Sequence, residues 1–276
     1  AEIARSFAAV IGIAATRDGV LWILDMGSPE QSPKLFGWHT RTNRLETVYY
    51  IPREASVGNS FFQDLAIDQT RKRAFIADMS RSDLVGESRP GIVVVDLETG
   101  AIRRRLDGHP YLQAQGEQRA EGQPMVFTGP DGVAQPLQLG LNPIGIDELD
   151  RYVYFSTIAS GPVYRIAAAT LGDPNLTDEE IADAIETFGN KPTSDGIAVA
   201  GETVYITDVD GSAIRALTVD GLTTVNDDPR LIWPDAIAID GQGALVATVN
   251  QLNRAPPFNG GESGAEPPYL LVRIKP

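Results

Sequence analysis

Four oxygen-bearing side chains, Gln63, Asn142, Asp195 and Asp235, each open a short apolar run in this chain, and Ile11 opens a fifth. Carboxylates and amides together are the ligand set that hard cations such as calcium take, and neither Cys nor His is needed to complete it. Asn142, Asp195 and Asp235 form the expected metal set, with Ca2+ the expected ion. Asp64, beside Gln63, and Trp233, two residues before Asp235, extend the candidate ligand-binding set to a small molecule. The same residue types also suit a second role, in which polar groups at the start of a strand satisfy backbone donors or turn the chain.

Other chemistries lack their residues. Cysteine is absent, which removes disulfides, thiolate ligands and cysteine nucleophiles together. His39 and His109 fall at unrelated places in the pattern, and no Ser, His and Asp can be brought to one position for triad catalysis. Gly260 and Gly261, the only adjacent glycines, lead into neither a helix start nor a Lys-Ser pair, so no phosphate-cradling loop is present. The formal net charge is -14, and the short basic runs Arg71-Lys72-Arg73 and Arg103-Arg104-Arg105 lie close to Asp68 and Asp107. A phosphate backbone would be repelled over most of such a surface, so nucleic acid is not an expected partner. No apolar run approaches the ~20 residues of a membrane helix.

The elements that position these residues repeat. Ile11-Gly12-Ile13-Ala14 runs on to Leu21-Trp22-Ile23-Leu24-Asp25, and Gln63-Asp64-Leu65-Ala66-Ile67-Asp68 to Ala74-Phe75-Ile76-Ala77-Asp78. Asn142, Asp195 and Asp235 open three further pairs of the same kind. Each pair reads as two strands joined by a turn and continues into a third strand and often a fourth, such as Gly91-Ile92-Val93-Val94-Val95-Asp96. A strand-and-turn unit recurring along 276 residues, with almost no helix, predicts an all-β β-propeller of five recognisable blades in a single domain, 1–276. Residues at equivalent repeat positions then converge at one mouth. Asp25, Asp78 and Asp208 close second strands and read as structural, while Asp68, Asp147 and Asp240 read as turn formers. Residues 108–139 read as a Gly-, Gln- and Pro-rich loop with a short hairpin, and residues 253–268 as a Pro-rich loop. One helix is expected over 176–188, with Thr177 and Glu180 as a capping box and Ile181, Ala184, Ile185 and Phe188 on its apolar face.

The ordered segments Leu21-Trp22-Ile23-Leu24-Asp25-Met26-Gly27, Asn59-Ser60-Phe61-Phe62-Gln63-Asp64-Leu65-Ala66-Ile67-Asp68, Gly145-Ile146 with Tyr154-Phe155-Ser156, Ser194-Asp195-Gly196-Ile197 and Trp233-Pro234-Asp235 resemble the Yellow and major royal jelly protein family, in its bacterial branch. The resemblance covers nearly the whole chain. It implies a six-bladed propeller related in architecture to gluconolactonase-like propellers, and secretion or a periplasmic location. Lactonase-like propellers hold a divalent cation at acidic and amide residues like these, so the activity the resemblance implies is hydrolysis of a lactone or ester. The alternative is a non-catalytic module that binds a ligand or a protein. Against the six-bladed pattern, only about ten residues precede Gly12-Ile13 where the family has a full blade, so the first blade is expected to be missing. The ring is then expected to be open between residues 3–7 and 270–274.

Overall fold

The computed structural model describes residues 7–129 and 132–276. Its main strands form five antiparallel sheets, each built from one stretch of chain with strand order following chain order. The first holds β1 (Val10–Ala15), β2 (Val20–Asp25), β3 (Lys34–His39) and β4 (Arg44–Tyr50). The second holds β5 (Phe62–Asp68), β6 (Arg73–Asp78), β7 (Gly91–Asp96) and β8 (Ile102–Arg105). Two hairpins follow, β9 (Arg119–Ala120) with β10 (Gln123–Pro124), and β11 (Val126–Thr128) with β12 (Ala134–Pro136). The third sheet holds β13 (Leu141–Ile146), β14 (Tyr152–Thr157), β15 (Gly161–Ala167) and β16 (Glu186–Lys191), with α1 (Ala168–Leu171) and α2 (Asp178–Asp183) before its last strand. The fourth holds β17 (Ile197–Ala200), β18 (Thr203–Asp208), β19 (Ala213–Thr218) and β20 (Gly221–Asp227). The fifth holds three strands, β21 (Pro234–Ile239), β22 (Leu245–Val249) and β23 (Leu270–Ile274).

These sheets are the blades of a propeller. Their first strands pack in succession, β1 on β5, β5 on β13, β13 on β17 and β17 on β21. The apolar alternation of each strand buries one face against the next blade, so the core is a series of layers between blades. Trp22, Leu24, Leu65 and Ile76 fill the layer between the first two, and Phe75, Ile92, Val153 and Phe155 the next. Ile197, Ile206 and Tyr154 fill the third layer, and Ile214, Ile237 and Leu245 the fourth. Close approach of the inner strands requires small residues there. A Cβ on Gly196 would lie 2.3 Å from the carbonyl oxygen of Asp235.

The two end blades each keep a face open to solvent. On β1, Ile13 is 63% exposed and Val10 and Ile11 are also exposed; on β23, Leu271 is 72% exposed. Among the described residues β23 pairs with β22 alone. Its expected neighbour at the ring junction lies outside the described residues except for Phe7, whose ring packs edge-on against Phe36.

The expected helix over 176–188 is corrected at its C-terminal end. The capping box is present, with Thr177 accepting from the Glu180 N–H and Glu180 accepting in return, but α2 stops at Asp183. Glu186–Lys191 instead forms the outer strand of the third blade, and Phe188 packs edge-on against Tyr154 across that sheet. Pairing with β15 satisfies the backbone of this stretch where the sequence pattern alone suggested another helical turn.

Candidate functional site

The starts of four inner strands carry the same irregularity. The ladder is offset between Val10 and Gly12, Phe62 and Asp64, Leu141 and Ile144, and Pro234 and Ile237. One extra residue enters at each place, and such a bulge re-aims side chains out of the pleat. The extra residues are Ile11, Gln63, Asn142 and Asp235. Asp195 takes the same step in the fourth blade, because the N–H of Val209 meets the Thr193 carbonyl as that of Met79 meets Phe61. The predicted equivalence of these five positions is therefore present in the backbone.

Asp195 lies at the centre. Its Oδ2 accepts from Trp233 Nε1 at 2.6 Å and its Oδ1 from Asn142 Nδ2. Its own N–H meets Thr207 Oγ1 at 3.3 Å, and that of Gly196 meets the same oxygen at 2.9 Å. Burial and the neighbouring Asp195 charge favour the protonated form of Asp235, whose Oδ2 accepts from Asn250 Nδ2. Asp64, one residue past its bulge, accepts from the N–H groups of Leu65 at 2.8 Å and Ile144 at 3.4 Å. The Gln63 side chain makes no hydrogen bond among the described residues, and its Oε1 is shut away from solvent. The structure thus joins Asn142, Asp195 and Trp233 directly, sets the Asp235 and Asp64 carboxyls within electrostatic range of Asp195, and leaves the Gln63 amide oxygen without a partner.

Burial acts on every charge here. It pushes the Asp64 carboxyl up to about 7 and that of Asp235 up to about 8, where the neighbouring Asp195 charge adds to it. Asp195 is also raised by burial, against the opposing pull of its Trp233 and Asn142 donors. Lys191 is pushed down to about 7 by burial. Its Nζ does not reach a carboxylate; it donates to the carbonyls of Ala159 at 2.9 Å, Pro192 at 3.1 Å and Ile158 at 3.4 Å. It thereby pins the segment that leads into Asp195.

Other buried aspartates behave differently. Asp25, Asp68, Asp78, Asp147, Asp150 and Asp208 pair with Lys34, Arg71, Arg104, Arg151, Arg17 and Arg215 in turn. Asp25, Asp78 and Asp208 also gather loop N–H groups, and Asp68, Asp147 and Asp240 accept from the N–H groups of their own turns. Their structural roles match the reading from sequence. Among the described residues, Asp64, Asp195 and Asp235 have no ion-pair partner.

An apolar layer covers this end of the propeller. Met79, Ile158 and Val209, each the residue after a second strand, pack with Trp233 and with Met125, Leu137 and Leu139 of the segment between the second and third blades. The tip of the β9–β10 hairpin is tied down as well, since Glu121 accepts from Arg254 at 2.7 Å and Asn253 at 2.7 Å. Cavities of about 300 Å³ beside Arg81 and Phe127 and about 450 Å³ beside Lys34 and Tyr50 lie on the rim and on the first blade, away from the carboxylates. The sequence reading placed this segment correctly as a loop with a hairpin, although Pro130 and Asp131 of its turn lie outside the described residues.

A resident calcium ion was expected on Asn142, Asp195 and Asp235. The folded arrangement does not suit one. Both Asp195 oxygens take N–H donors, and one of them comes from the amide that was to serve as a ligand. Among the described residues no three Asp, Glu or His side chains lie close enough together to ligate one metal ion. Sequence reading missed Asn250 and Lys191. Asn250 could have been found, because it stands where the other blades have Met26, Met79, Ile158 and Val209.

The blades and the bulge-borne acidic centre define a β-propeller with a polar site at its axis. The chain belongs to the major royal jelly protein family, whose model matches residues 8–256. Its fold is similar to a chain of a nidogen–laminin complex, with 12% identity and a TM-score of 0.55 over 97% of this chain and 80% of that one. It is also similar to a gluconolactonase from Xanthomonas campestris, with 12% identity and a TM-score of 0.54 over 88% of this chain and 69% of that one. At such identities the likeness is one of fold. No curated protein matches the sequence. No helix among the described residues is long and apolar enough to cross a membrane.

Proposed function

We propose that this protein binds a small organic cation at Asp64, Asp195 and Asp235, beneath the apolar layer. One observation carries the reading: six fully buried aspartates each have an Arg or Lys partner, and the seventh, Asp195, lies with two more carboxyls that have none. Carboxyls gathered without a cation hold protons instead, and a cation that displaces a proton gains the full attraction of a site with little water. The walls above, from Trp233, Met79 and Phe61, suit an organic body better than a hydrated metal ion.

Calorimetry with a panel of alkylammonium and guanidinium ions tests this. Binding is expected to release about one proton at pH 7 and to vanish in Asp195→Asn and Asp235→Asn. Calcium is the comparison. A calcium-dependent rise in melting temperature that those variants abolish would replace the organic cation with a metal.

A second reading is favoured by the same pair of carboxyls. A group titrating near neutrality is suited to general acid–base work, so Asp235 or Asp64 would serve hydrolysis of a lactone or ester. Turnover of simple lactones, lost in Asp235→Asn, supports it; no turnover across lactones and aryl esters leaves the binding role. Secretion or a periplasmic location belongs to the proposal, and fractionation of the native host tests it.

A further inference from the structure

Gln63 sits at the bulge step that Asn142, Asp195 and Asp235 share, yet its side chain is bonded to nothing among the described residues. A buried carbonyl oxygen without a donor is costly, and a folded protein retains one where water or a ligand completes it. The only other such side-chain atom among the described residues is Asn253 Oδ1, in the loop that ties down the β9–β10 hairpin. Both orphans are acceptors. What is missing at this end of the propeller is a donor.

We infer that Gln63 is the specificity-determining residue of the site, its Oε1 taking an N–H or O–H of the occupant. This rests on the cation reading above and narrows it. Asp64, Asp195 and Asp235 attract both an ammonium and its methylated form, with a bias of their own for the ion that comes closer and donates N–H bonds. An amide oxygen adds to that bias, because it is neutral and rewards only a donor. The combination selects cations that carry N–H groups over quaternary ions of the same charge and similar size.

The test uses two probes on the whole protein, butylammonium, which has N–H donors, and butyltrimethylammonium, which has none. Wild type is expected to prefer butylammonium by about tenfold, the scale of one hydrogen bond to a charged group. Gln63→Met should weaken butylammonium about five- to tenfold and leave butyltrimethylammonium within about twofold. Gln63→Glu keeps an acceptor and should keep the preference. The free Gln63→Met protein should melt no lower than wild type, because no hydrogen bond is lost. If both probes bind wild type and Gln63→Met shifts them equally or not at all, the role of Gln63 is wrong and the cation reading stands. If neither probe binds wild type, the cation reading fails and this inference fails with it. A lower melting point for free Gln63→Met assigns the residue a structural role and overturns the inference.

Discussion

Replacing Asp235 by Asn should change how stability depends on pH, in a direction opposite to that of most proteins between pH 5 and 7. In the folded protein Asp235 titrates at about 8 and Asp64 at about 7, whereas in the unfolded chain both lose their protons near 4. A carboxyl with a raised folded value binds its proton more tightly when folded. Its contribution is therefore full below the unfolded value and is lost as pH rises towards the folded one. Each such proton costs about 1.4 kcal/mol of stability per pH unit in between. For Asp235 alone that is at most about 3 kcal/mol from pH 5 to 7, an upper figure because part of its surface stays open. At about 2–4 °C per kcal/mol this corresponds to roughly 6–12 °C in melting temperature. The window is chosen to isolate the effect. Lowered carboxyls such as Asp25, Asp96 and Asp228 have finished contributing by pH 5, and Lys191, lowered to about 7, adds stability only as pH rises above that value. Calorimetric melts of both proteins at half-unit steps should show wild type falling steadily and Asp235→Asn falling less, with the curves separating as pH rises. Parallel curves, or a wild type that gains stability from pH 5 to 7, would refute the claim that these carboxyls fold with their protons on.

Trp233→Phe removes the indole donor from Asp195 and should lower stability by about 1–3 kcal/mol, read by denaturant melts. Arg104→Met leaves buried Asp78 without its cation and should cost about 3–5 kcal/mol. Arg230→Ala, at a pair whose arginine is 78% exposed, should leave the melt unchanged in the same assay. Gly196→Ala forces the fourth and fifth inner strands apart and should cost about 1–3 kcal/mol while also weakening any cation that Asp195 and Asp235 bind. Thr177→Ala removes the cap of α2 and should cost about 1 kcal/mol without touching the site.

Much of this was legible in the sequence because strands announce themselves by alternation, and a repeated strand pair announces a ring. Aligning five apolar runs was enough to equate Gln63, Asn142, Asp195 and Asp235, since the bulge that turns each outward falls at one fixed step before the run. What alignment could not carry was the partner of each side chain. Asn250 reaches Asp235 from the segment following β22, and Lys191 reaches the Ala159 carbonyl from the end of β16, contacts that the repeat pattern does not encode. The overrun of the helix past Asp183 has a related cause. Ile185 and Phe188 have helical spacing, but the open edge of β15 offered that stretch a ladder of backbone bonds, and tertiary pairing outweighed local preference.

The same contrast explains why an acidic centre is compatible with a stable propeller. Elsewhere each buried carboxylate is a fastening: Asp78 holds the N–H groups of Phe61 and Ser80 and the Arg104 guanidinium, so its charge is matched and its loops are fixed. At the axis the chain supplies amide and indole donors, which orient Asp195 and Asp235 without neutralising them. The cost of crowding is met by retained protons. A site stabilised in that way is strained most at the pH where those protons leave, and a cation that takes their place restores what their loss removes. Cation binding and the pH slope are therefore linked, and a saturating ligand should flatten the descent of the wild-type curve between pH 5 and 7 towards that of Asp235→Asn.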